Sequence, residues 1–248
     1  MPGVDVVLLH GWMVGAELWA HQEEALTQAA RPHEIVQPGH GVAVSRLRQN
    51  ATMPDWAAWL SRELDGRGIT DAVFVGHGMG GFVVEELWRR DRGRIKALVL
   101  VSTLDEACSQ DQRATFRGLS DALIDWSAEA AATVLSALVG AEFLAENPDW
   151  VEDWREQVAR TYDLPAVREL GRIAAEHDDY RTTSASIEVP TLVMHGNADS
   201  MVPIEKAKAM ADRIPDARFN EIPTSGHAPP LESPELVTDA LLEFIAGL

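Results

Sequence analysis

Short apolar runs alternate with amphipathic stretches along most of this chain, and that alternation leaves few folds open to it. The runs lie at residues 4–9, 34–36, 72–75, 97–101, 191–194 and 218–222. Most are short and continuously apolar, as strands covered on both faces must be. Helical pattern falls between them, near 16–29, 54–65, 81–91, 204–213 and 234–245. In the second helix Trp56, Trp59, Leu60 and Leu64 share one face, and Ser233-Pro234 gives the last a start signal. Strands interleaved with helices predict an α/β fold: a mostly parallel sheet with helices on both faces.

From about 106 to 188 the alternation stops. No strand pattern is present there, only helical periodicity, with Trp150, Val151, Trp154 and Val158 on one stripe and an alanine- and leucine-rich run at 128–139. The expected organisation is therefore a core from 1–105 and 189–248, with a helical cap or lid, 106–188, inserted between Val101 and Pro190. The chain has 248 residues, 46% of them hydrophobic, enough for one sizeable core.

In an open α/β sheet, ligands bind beyond the carboxyl ends of the strands, so the residues after each run matter most. The first run is followed by His10-Gly11-Trp12 and the third by Gly76-His77-Gly78-Met79-Gly80-Gly81. The fifth is followed by His195-Gly196-Asn197-Ala198-Asp199, and the sixth by Pro223-Thr224-Ser225-Gly226-His227. An acid and then a histidine close the last two strands.

This arrangement resembles the α/β-hydrolase family across nearly the whole chain, in which a nucleophile on a strand–turn–helix elbow precedes an acid and then a histidine. His10-Gly11-Trp12 looks like the family's oxyanion loop, Pro38-Gly39-His40-Gly41 like the loop after the next strand, and Ser225-Gly226-His227-Ala228-Pro229 like its histidine loop. The stretch from His10-Gly11-Trp12 through Ala16-Glu17-Leu18-Trp19, with His227-Ala228-Pro229, is similar to small carboxylesterases that demethylate pimeloyl esters. The resemblance implies an α/β-hydrolase fold and carboxylic-ester hydrolysis. It makes His227 the base and Asp199 its partner, with the Trp12 and Met79 backbone amides as oxyanion donors. The leading hairpin of the family is shortened or absent here.

The elbow departs from the family at its centre. The pattern Gly-x-nucleophile-x-Gly reads Gly76-His77-Gly78-Met79-Gly80, so glycine stands at the nucleophile position. Glycine cannot attack a carbonyl, and no acyl-enzyme can form at Gly78. Three explanations stay open: a serine esterase disabled by substitution, an enzyme using the His227–Asp199 pair alone for elimination, cyclisation or water attack, or a non-catalytic ligand-binding relative. Glycine fits the elbow sterically, because the turn imposes a backbone conformation that other residues adopt only with strain.

Gly76-x-Gly78-x-x-Gly81 also matches the dinucleotide-binding fingerprint, with Asp105 as a displaced ribose acid. Against it stand the wrong spacing to Asp105 and the three coincidences it would require at His10-Gly11-Trp12, Asp199 and His227. Asp105 is also an alternative position for the acid. His10 is expected to organise its loop, His77 to pack beside the elbow, and His195 to be a core histidine. Ser102, Ser200 and Ser225 are expected to be structural, Cys108 inert, and Trp126, Trp150 and Trp154 packing residues.

Lys and Arg number 21 against 39 Asp and Glu, a net charge of −18. That argues against nucleic acid and against anionic lipid as partners. A lone cysteine excludes an internal disulfide, and no zinc spacing is present. No cofactor or metal is expected. The opening segment lacks the basic flank and apolar run of a signal peptide, and no run is long enough to span a bilayer, so a cytoplasmic location is expected. The expected partner is a small-molecule substrate with an apolar acyl or aryl part, and the sequence sets no oligomeric state.

Overall fold

The computed structural model describes residues 3–41 and 50–248, so the first two residues of the segment read for a leader lie outside it. Among the described residues six strands form one sheet: β1 Asp5–Leu9, β2 Arg31–Ile35, β3 Ala72–His77, β4 Ile95–Val101, β5 Thr191–Gly196 and β6 Ala217–Ile222. Their order is β2-β1-β3-β4-β5-β6 and every pairing is parallel. All residues of β3 and β5 are buried, so both faces of the sheet are covered. Strand order reverses at β1, which places the loops after β1 and β3 at the crevice where such sheets bind ligands.

Helices α1 Glu23–Ala29, α2 Met53–Arg67 and α3 Met79–Asp91 precede β4. Thr52 starts α2, its N–H donating to Asp55 at 2.9 Å, and Gly68 in the left-handed region ends it. Trp56, Trp59, Leu60 and Leu64 are all buried, as their spacing predicts, and α2 packs on α3. Between β4 and β5 the described elements are all helical: α4 Gln110–Asp121, α5 Ala128–Leu138, α6 Ala141–Glu146, α7 Pro148–Thr161, α8 Leu164–Ala175 and α9 Arg181–Ser184. The core closes with α10 Ile204–Arg213, α11 Pro229–Glu232 and α12 Pro234–Ala246.

Two expectations need correction. The strand expected at 34–36 is β2, Arg31–Ile35, and its pattern is polar because it is an edge strand. Arg31 and His33 both reach Asp5 of β1, at 2.7 Å each, and the Arg31 guanidinium holds the Asp5 carboxyl down to about 2. The helix expected over 16–29 is broken into a 3-10 turn, Ala16–Trp19, and α1. Among the described residues no helix is long and apolar enough to cross a membrane.

Candidate active site

Parallel strands bring all their carboxyl ends to one edge of the sheet, and three loops converge there. After β3 the chain turns sharply into α3. Gly78, at the turn, has φ 50° and ψ −114°, its N–H donating to the Val101 carbonyl at 2.9 Å. That conformation is free to glycine and costly to other residues. The neighbouring glycines serve contact: a Cβ on Gly80 would lie 2.6 Å from the Leu9 carbonyl oxygen, and one on Gly81 2.6 Å from Thr103 Oγ1. At Gly78, the fingerprint's second glycine, a Cβ would lie 3.1 Å from His227 Nε2, so a histidine faces the position a pyrophosphate would approach, which counts against that reading.

Asp199 follows β5 with its side chain wholly buried. Its Oδ1 accepts the Met201 and Val202 amides at 2.8 and 3.0 Å. Its Oδ2 lies 2.8 Å from His227 Nδ1. Burial opposes charge on both partners. For His227, the Asp199 charge and hydrogen bond outweigh burial and raise its pKa above the ordinary histidine value. For Asp199, His227 together with His195 and the Val202 amide outweighs burial and lowers its pKa. The far side of the ring faces the elbow, where a Cβ on Gly78 would sit 3.1 Å from His227 Nε2. The structure therefore brings Gly78, Asp199 and His227 together.

Met79 directly follows Gly78, and Trp12 lies in the loop after β1. Met79 opens α3, and among the described residues neither backbone N–H has a hydrogen-bond partner. The loop after β1 is held from several directions. His10 Nε2 accepts the Gln37 amide at 2.9 Å, and His40 Nε2 accepts that of Met13 at 3.1 Å. From the helical segment, Trp154 Nε1–H donates to the Met13 carbonyl at 3.3 Å. The Trp12 indole donates in turn to Val167 at 2.8 Å. Trp154 is buried, and its ring contacts Trp126 and Trp150, so the tryptophans pack as expected.

Asp105 and Cys108, also singled out in the sequence, lie apart from this chemistry. Asp105 is fully buried in a two-pronged pair with Arg213, at 2.7 and 2.5 Å, which accounts for its charge without a histidine. Cys108 does have a basic neighbour, His177 Nε2 at 3.6 Å. Burial pushes the thiol up and brings His177 down to about 4, so both stay neutral. Ser102 and Ser225 are buried and Ser200 is exposed. Among the described residues no group of three or more His, Cys, Asp or Glu could hold a metal.

Three contacts escape a reading of the sequence. His77 Nε2–H donates to the His227 backbone carbonyl at 2.7 Å, and burial lowers its pKa to about 3, so it is neutral. His195 Nε2–H donates to Val202 at 2.9 Å and lies 3.4 Å from Asp199 Oδ2. Glu232 binds backbone amides around His227. The partners are backbone atoms or lie far along the chain, and no residue-type pattern signals them.

A model of the alpha/beta hydrolase family matches residues 6–240. The chain belongs to the alpha/beta hydrolase family. It is 29% identical to a pimeloyl-acyl-carrier-protein methyl ester esterase of Aromatoleum aromaticum, over 98% of each chain. It is also 29% identical to a putative carbamate hydrolase, RutD, of Azorhizobium caulinodans, over 98% of this chain and 91% of that one. A thermophilic esterase from Thermogutta terrifontis superposes with a TM-score of 0.89 at 28% identity, covering 99% of this chain and 90% of that one. This alpha/beta hydrolase is thus of esterase-like type, and the dinucleotide alternative gives way to it.

Proposed function

We propose that this alpha/beta hydrolase is a carboxylic-ester hydrolase scaffold whose base is complete and whose nucleophile position is vacant. The observation that carries this is the alignment of Asp199 Oδ2, His227 and the Cβ position of Gly78, 2.8 Å on one side of the imidazole and 3.1 Å on the other. In this reading Asp199 fixes the tautomer that leaves Nε2 as acceptor, and His227 takes a proton from water rather than from a side chain. The Trp12 and Met79 amides receive the developing oxyanion, helped by the positive end of α3. The helices between β4 and β5 act as a cap. The esterase relatives support a substrate with an apolar acyl part.

The test is an ester panel run on the chain as it stands, on Gly78→Ser, and on Gly78→Ser with His227→Ala. Without a hydroxyl the chain turns over slowly, shows no acyl burst and takes no fluorophosphonate label. Gly78→Ser is expected to gain on the order of 10³-fold or more in kcat, to label at position 78, and to lose that gain with His227→Ala. The base must be neutral to act, and its pKa is raised, so the rising limb of the pH–rate profile falls at higher pH than for an ordinary histidine. No gain in Gly78→Ser, or a label elsewhere on the original chain, rules the reading out.

A further inference from the structure

We propose that Glu232 is a positioning residue for His227, clamping the loop on both sides of the imidazole and fastening it to the cap at Gly140. This rests on the reading of His227 as the base. Glu232 closes α11, five residues past His227. Its Oε2 accepts the Gly226 and Gly140 amides, each at 2.8 Å, and its Oε1 accepts that of Ala228 at 2.9 Å. Gly226 and Ala228 are the residues on either side of the base. The carbonyl of His227 itself is taken by His77. The backbone through residue 227 is thus held at three successive points by two side chains, and neither side chain is part of the acid–base pair.

The third amide gives the arrangement its reach. Gly140 lies in the turn between α5 and α6, 92 residues before Glu232. A Cβ on Gly226 would sit 2.5 Å from the Gly140 nitrogen and 3.0 Å from Glu232 Oε2, so this approach of cap to base loop needs glycine at 226. A carboxylate has two oxygens and can accept all three donors; a carboxamide of the same shape must turn its NH₂ toward at least one. The negative charge also supports the protonated form of His227. Movement of the α5–α6 turn away from the sheet removes one of the three amides and loosens the loop that carries the base.

The experiment compares Glu232→Gln with its parent by NMR of the His227 ring, and repeats the comparison kinetically in the Gly78→Ser background. Expected are loss or broadening of the downfield Nδ1 proton shared with Asp199, a fall of the His227 pKa toward the ordinary value, and a ~10–100-fold drop in kcat with KM little changed. Retention of the ring signal, pKa and kcat within about twofold overturns the proposal, as does a rise in KM at constant kcat. The ring measurement needs no turnover, so if Gly78→Ser is inactive it still decides the role of Glu232, and only the ester reading falls. If Glu232→Gln does not fold, amide exchange in the unmutated protein decides. Gly140, Gly226 and Ala228 are then expected to be similarly protected, and a Gly140 amide exchanging as though free of any partner overturns the proposal.

Discussion

Gly78 sits at φ 50° and ψ −114°, where any side chain strains the backbone by about 1–3 kcal/mol. A Cβ there would also press on His227 Nε2 at 3.1 Å, so a side chain at 78 requires the imidazole to give by a few tenths of an ångström. Gly78→Ser is therefore expected to lower the urea midpoint while gaining hydrolysis. A higher midpoint would show that the elbow carries no strain. Positions 78 and 199 were legible because each follows a strand end that the apolar pattern marks, and 227 because Ser225-Gly226-His227-Ala228-Pro229 resembles the family's histidine loop. The supports of His227 were not, since a backbone carbonyl or amide looks the same whichever residue bears it. His77, for instance, is 150 residues from the carbonyl it holds.

Elements dock through contacts of their own, and the pair of Asp105 and Arg213 ties the chain just past β4 to α10. Replacing Arg213 by Met leaves a carboxylate buried without its partner and is expected to cost about 3 kcal/mol, part of it recovered by hydration because Arg213 is 28% exposed. In the Gly78→Ser background that variant should melt earlier yet keep its kcat. Asp199→Asn should do the reverse, losing on the order of 10⁴-fold in kcat through the wrong tautomer. Thermal melts and initial rates on the two variants separate an acid that docks elements from one that serves the base, and equal kcat losses would contradict the assignment. The buried strands announced themselves by continuous apolar runs. The edge strand β2 did not, because its Arg31 and His33 are spent on Asp5 and leave no apolar signature. The break between the 3-10 turn and α1 was equally hidden, since apolar spacing continues across it.

Over the whole molecule, 39 acidic residues face 21 basic ones, and the resulting field repels anions. At about 10 mM salt the field reaches roughly 30 Å, and at 150 mM roughly 8 Å. Gly78→Ser is thus expected to discriminate against a carboxylate-bearing ester relative to its neutral analogue at low salt, with the gap in kcat/KM closing as salt rises. A ratio indifferent to salt would place the discrimination in local contacts.

The segment that leaves the sheet at the end of β4 comes back on the strand beside it, where Leu98 pairs with Thr191 and Val101 with Met194. Departure and return share one seam, so the intervening helices can grow, shrink or be exchanged without unzipping a single ladder. What an exchange would have to rebuild is the set of tethers to the loops at the sheet's edge, among them Gly140 to Glu232, Trp154 to Met13 and Val167 to Trp12.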